Sequence, residues 1–192
     1  MANLPTTPAL VDPSPLDAAL AEIQARLVAE LPWLDEAYGK AEKLLKTDEN
    51  GRTYYYPGVF VGGIEHFNVF PMDTAGAFSF FDVAPKQTIG LENRSSVASY
   101  GVKAGLVVCF DYRSVFPTDH QQRNAEHVKK QVLDALLRVR PRRSAIVVTE
   151  TAEGAADVYP GYDVRHLEPK FLLRPYGAVR VNFDLIVHAG YC

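Results

Sequence analysis

Cysteine, methionine and tryptophan are scarce in this chain: its 192 residues hold two Cys, two Met and one Trp. Two cysteines are too few for a disulfide-stapled module or a cysteine-built zinc module. Cys109 lies in the apolar run Val107-Val108-Cys109-Phe110 and reads as a small buried hydrophobe. Cys192 is the last residue, and the spacing of the two suggests no bridge, so a reducing compartment is expected. Histidine is also sparse. His66, His120, His127, His166 and His188 form no metal-ligand spacing, and only His120 and His127 fall on one expected helix, seven residues apart.

Charge of one sign is missing too. A net charge of -3 gives no phosphate-neutralising excess, so nucleic-acid binding by the chain as a whole is not expected. No apolar run reaches bilayer length, and the first residues, Met1-Ala2-Asn3-Leu4-Pro5, lack the basic and apolar regions of a secretory leader. A protein made in the cytoplasm, without a membrane partner, is the expectation. Glycine-rich phosphate loops are absent: Gly62-Gly63 opens no helix and reads as a turn. There is no Gly-x-Ser-x-Gly elbow. No catalytic residue, metal ligand or cofactor-binding residue can therefore be assigned, and no cofactor is expected.

What the chain does have is patterning, with 47% hydrophobic and 22% charged residues as in a globular domain. The clearest element is the last. Val179, Val181, Phe183, Leu185 and Val187 alternate with Arg180, Asn182, Asp184, Ile186 and His188, which predicts a strand with one buried and one wetter face. Ser99–Asp111 is a second long strand, half covered at its start and covered on both faces where Val107 and Cys109 turn apolar. Ser14-Pro15-Leu16-Asp17 opens a helix, with Ser14 as cap and Pro15 in the first turn. Leu16, Leu20, Ile23, Leu27 and Leu31 form its apolar stripe.

Pro32 interrupts that stripe, and residues 33–45 keep helical spacing through Leu34, Ala37, Tyr38, Ala41, Leu44 and Leu45, predicting a continuation or second helical segment. Residues 47–51 form a turn, and 52–61, 67–71 and 77–83 read as strands. Residues 84–97 read as a loop. A further helix is expected from about Asp119 to Arg138, followed by a strand over Ser144–Glu150 and a polar connection over 151–157. Residues 1–13, with three prolines, read as an extended or flexible arm, and 14–192 as one domain. Helices and strands come in blocks, so the expected fold is α+β: a mainly antiparallel sheet with two principal helices packed on one face.

Aromatic residues are the remaining signal. Tyr54, Tyr55 and Tyr56, and likewise Phe78, Phe80 and Phe81, occupy both faces of their strands. Cross-strand core packing and a subunit interface explain this equally well. Tyr159, Tyr162, Arg165 and His166 make an aromatic and cationic cluster beside the turn Pro160-Gly161. Arg140, Arg142 and Arg143 suit a solvated helix end.

The layout resembles the tail-terminator (tail-completion) and neck proteins of tailed phages and phage-like contractile systems. The resemblance is carried by the capped helix Ser14–Leu31, the long strand Ser99–Asp111, the helix Asp119–Arg138 and the ending Arg174-Pro175-Tyr176-Gly177-Ala178-Val179-Arg180-Val181-Asn182-Phe183. It covers most of the chain and rests on order of elements, so no functional residue is carried over. It implies a non-enzymatic virion subunit, assembled in the host cytoplasm. That subunit would form a homo-oligomeric ring, usually a hexamer. The ring would contact tail tube, sheath and neck or head-connector proteins, with DNA only passing through its lumen. The chain is long for a minimal terminator, so residues 84–98 and 151–175 are candidate contact regions, with Lys86, Arg94, Tyr159, Tyr162 and Arg165 as candidate interface residues. The alternatives are a head-completion or stopper protein, a cytoplasmic adaptor, or a small-ligand-binding or enzymatic domain. A polar pocket holding a histidine beside a carboxylate would favour the last.

Overall fold

The computed structural model describes residue 8 and residues 11–63, 65–71, 76–91, 97–118, 124–139, 141 and 144–190. Seven strands form one sheet: β1 (Glu36–Thr47), β2 (Thr53–Gly62), β3 (Glu65–Asn68), β4 (Phe78–Leu91), β5 (Val97–Asp111), β6 (Ser144–Glu153) and β7 (Tyr176–Gly190). Their order is β3-β2-β1-β4-β5-β7-β6; β1 and β4 run parallel and every other pair is antiparallel. The principal helices are α1 (Pro15–Glu30) and α3 (Ala125–Arg138); α2 (Tyr112–Val115) and α4 (Ala155–Val158) are single turns. The fold is α+β, with α1 and α3 on one face of a mostly antiparallel sheet.

Helix α1 forms for local reasons. The Ser14 hydroxyl accepts from the Asp17 N–H, Pro15 fills the first turn, and Ala19, Leu20, Ile23 and Leu27 are buried. Helix α3 starts later than its pattern suggests, with the Asn124 side chain accepting from the His127 N–H. Residues 119–123 lie outside the described set. The two helices bury their stripes against Val179, Val181, Phe183, Leu185 and Val187 of β7 and against Val102, Leu106 and Val108 of β5. Trp33 fastens the helices together: its Nε1 donates to Gln131 Oε1 on α3 at 2.7 Å.

The opposite face has its own core. Tyr38, Val59, Phe78, Phe80, Val107 and Cys109 are covered there by Val158, Tyr159 and Leu167, which belong to a strap running from α4 through two short 3-10 turns. The aromatic residues on both faces of β4 are thus internal: Phe81 faces the helices, and Phe78 and Phe80 face the strap. The phenylalanines serve no subunit interface, because they are fully enclosed.

Three expectations are corrected. Residues 36–47 are strand β1, not a helix. Pro32 ends α1, and a bulge between Ala37 and Lys40 shifts the alternation, which puts Tyr38 and Ala41, three apart, in the same core. That spacing imitates a helix. Residues 84–91 are not a loop but the continuation of β4, paired with β5 beyond a bulge between Val83 and Gln87. Finally, the polar face of β7 is not uniformly wet, since Arg180 is buried. The turn at residues 47–51 does close the β1–β2 hairpin, with Asp48 Oδ1 accepting from the Asn50 and Arg52 N–H groups and Gly51 at φ +76°. The expected arm over residues 1–13 falls largely outside the described residues.

Candidate functional site

On the strap side, a groove of about 710 Å³ crosses the sheet between the β4 bulge and the strap. Ala84 and Pro85 form one wall; Pro160 and Tyr162 form the other. Its floor carries Arg180, whose Nε donates to Asn182 Oδ1 at 2.6 Å. Its Nη1 donates to Asp82 Oδ2 at 2.8 Å and to the Val158 carbonyl at 3.3 Å. Asp82 sits on β4 and Arg180 on β7, with β5 between them. The guanidinium crosses β5 over Gly105, where a Cβ would overlap it.

The buried charge is therefore satisfied within the chain. Its hydrogen bonds tie the strap, β4 and β7 into one unit. Tyr162 adds to the wall: burial, and then the Asp82 carboxylate beside it, push its phenol well up from the usual range. Lys43 lies over both the Tyr55 and Tyr162 rings, 5.4 and 5.2 Å from their centroids. Around the rim Lys40, Lys43 and Lys103 mix with Glu42, Glu150 and Asp184, and Lys103 reaches Asp184 at 3.5 Å. Interleaved signs suit a mixed-charge protein surface better than a polyanion. The groove's lining includes no histidine.

The five candidate interface residues separate. Lys86 is exposed in the β4 bulge, next to the groove wall. Tyr162 lines the groove. Arg165 is exposed and held by Asp163, with Nη2 to Oδ2 at 2.6 Å; that partner draws the Asp163 carboxyl down to about 2. Tyr159 is corrected: at 2% exposure it belongs to the second core. It packs on Phe70 and Phe80, and its hydroxyl lies 2.9 Å from Cys109 Sγ. Arg94 lies outside the described residues, as do Arg140, Arg142, Arg143 and His120. His166 stacks on Tyr54 at 3.5 Å and lies 3.9 Å from Asp163, while His66 lies 3.7 Å from Glu42. Among the described residues no group of three or more His, Cys, Asp or Glu could hold a metal ion. No described helix is long and apolar enough to cross a membrane.

A second depression, about 570 Å³, lies at the other end of the sheet beside Asp111, Tyr112, Arg113, Glu153 and Tyr176. Its charges are also paired: Arg113 is held by Asp111, and Lys129 at the nearby helix start bridges Glu126 and Glu153.

Sequence reasoning missed one surface altogether. Beyond the β4 bulge, Gln87–Leu91 pairs with Val102–Ala98 of β5, whereas β1 pairs with β4 only as far as Asp82. Among the described residues no strand covers the outer edge of this segment, and Ile89 there is 64% exposed. The alternation Gln87, Ile89, Leu91 was the available signal, obscured by Pro85 and the polar residues around it. No protein-family model matches the chain, and no curated protein matches it.

Proposed function

We propose that this chain is a non-enzymatic structural subunit of a tailed phage or phage-like contractile particle. It forms a ring that terminates the tail tube and sheath and joins them to the neck. The observation that carries the reading is the outer half of the β4–β5 hairpin. An uncovered strand edge bearing an exposed isoleucine is a ready template for another chain. A chain that keeps such an edge gains from having a neighbour on it. The layout resemblance supplies the kind of particle. The mixed-charge groove, whose one buried charge is satisfied internally, adds support, because it offers a neighbour complementary contacts without requiring a small ligand.

Native mass spectrometry of the purified chain, alone and with tail tubes, tests the proposal. A single closed multimer is expected. A chain that remains monomeric in both conditions contradicts it. A head-completion or stopper ring would give the same mass but bind the head connector instead of the tube, so tube binding separates the two.

A further inference from the structure

The edge of β4 that no described strand covers has a counterpart on the far side of the same sheet. Among the described residues, four strands lie side by side at the hairpin end, with Ile89, Tyr100, Val187 and Ser144 in one row. Gln87–Leu91 of β4 forms one border of this four-stranded end, and Ser144–Val148 of β6 forms the other. Among the described residues no strand pairs with either outer edge. Natural sheets blunt such edges with lysine, proline or a bulge. Gln-Thr-Ile-Gly-Leu and Ser-Ala-Ile-Val-Val hold no charge and no proline, and both bulges lie outside these stretches. Each edge also exposes a large apolar side chain, Ile89 at 64% and Val147 at 51%.

We infer that these two edges pair with each other between copies: the outer edge of β4 on one subunit receives β6 of the next, antiparallel, in a head-to-tail contact. This rests on the ring reading and names the surfaces that build the ring.

Three features select this arrangement. The first is direction. β4, β5, β7 and β6 alternate, so β6 of a second copy set antiparallel beside β4 continues the alternation. Both copies then keep their helices on the same side, as copies related by cyclic symmetry require. The second is charge. In sequence, Lys86 precedes the β4 segment and Glu150 follows the β6 segment. Antiparallel pairing brings these two exposed, opposite charges to the same end of the contact, whereas parallel pairing sets them at opposite ends. The third is face. Ile89 shares a row with Tyr100 and Val187 on the helix side, and Ile146 packs against the helix-side core, so the two isoleucines meet on one face. Thr88 then falls with Val147 on the other, and a slip of one residue would exchange the faces.

A head-to-tail contact leaves an open assembly with one free edge of each kind, one at either end, until it closes. A self-complementary contact, β4 on β4 or β6 on β6, would stop at a dimer.

The test uses the full chain carrying Cys192→Ser, Thr88→Cys and Val147→Cys, oxidised with diamide at a concentration where sedimentation shows an oligomer. Opposed strand positions fall within disulfide reach. The expected result is a ladder of covalent multimers that ends at the ring copy number, with the Thr88→Cys and Val147→Cys single variants remaining uncross-linked. Dimers from either single variant overturn the head-to-tail pairing. So does an oligomer that yields no cross-link; the ring reading then survives. A chain with no oligomer at any concentration overturns both. Charge exchange gives a second readout without new cysteines. Lys86→Glu or Glu150→Lys alone should weaken association by up to about fivefold at low salt, and the two together should restore it. Failure of the double variant to recover, with both singles weakened, overturns the antiparallel register.

Discussion

Arg180 on β7 reaches Asp82 on β4 across an intervening strand, with Nη1 to Oδ2 at 2.8 Å, and Gly105 on β5 is the gap through which it passes. One ion pair thereby fixes the spacing of three strands and, through the Val158 carbonyl, the strap above them. The groove floor is cross-linked by this contact. The groove walls, the β4 bulge and the strap, are held to one frame by the same guanidinium.

Removing Asp82 should leave a buried guanidinium short of its counter-charge. Asp82→Ala is expected to cost about 3 kcal/mol, at the lower end for buried pairs because the Asp82 side chain keeps 23% of its exposure. Gly105→Ala should act by a different route, displacing the guanidinium while leaving both charges present. Urea unfolding of each variant should show a lower midpoint with an unchanged slope. Wild-type stability in Gly105→Ala would contradict the crossing geometry.

Tyr38 is fully enclosed, and its hydroxyl has no hydrogen-bond partner among the described residues. Burial, and then the nearby Glu36, push its phenol up to about 12. Tyr38→Phe removes an unsatisfied polar atom and keeps the ring packed on Phe67 and Phe78. The change should leave stability unaltered or raise it by about 1 kcal/mol. A loss of more than that in the urea midpoint would reveal a partner for the hydroxyl.

Burial pushes the Cys109 thiol from its ordinary 9.0 up to about 12, with the Tyr159 contact acting weakly the other way. Tyr159 is raised by its own burial and then by Cys109. Both groups stay protonated in the folded chain at pH values where the unfolded chain releases their protons. The unfolded state then binds fewer protons, so stability must fall as pH rises from about 9 toward 12. Denaturant midpoints measured across that range should decline steadily. In Cys109→Ala the decline should begin nearer pH 10, the ordinary tyrosine value, from a lower neutral-pH stability. A flat wild-type profile would contradict the enclosed thiol.

Trp33 is the sole tryptophan, so its fluorescence reports one site, where the indole N–H donates to Gln131 on α3 and the ring meets Phe110 edge-on. Gln131→Ala should shift that emission and cost about 1 kcal/mol. Emission identical to wild type would mean that the indole N–H does not engage α3.

Elements whose burial follows strict alternation were legible in the sequence. β7 and the first half of β5 carry their apolar residues at every second position, and Ser14-Pro15 announces α1 through local capping chemistry. β1 was not legible. Glu36-Ala37-Tyr38-Gly39-Lys40-Ala41 is rich in helix formers, and its bulge places buried residues three apart. Pairing with β2 and β4 overrides that preference. The outer half of β4 was hidden by Pro85 and by the polar residues of an edge that no described strand covers. Arg180, Gly105 and Asp82 could not be connected, because Arg180 and Asp82 are 98 positions apart and share no local pattern. Of the candidate interface residues, Lys86 and Arg165 are exposed, whereas Tyr159 is buried, since a proline turn looks superficial whether or not its flanking ring points inward.

The mass of the assembled chain tests the central claim most directly. Native mass spectrometry of wild type and of Ile89→Lys should be compared, since a lysine on the β4 edge leaves the core untouched and blocks strand addition. The account predicts one closed multimer for wild type and a folded monomer for Ile89→Lys. A wild-type monomer, or the same multimer in both, would contradict it.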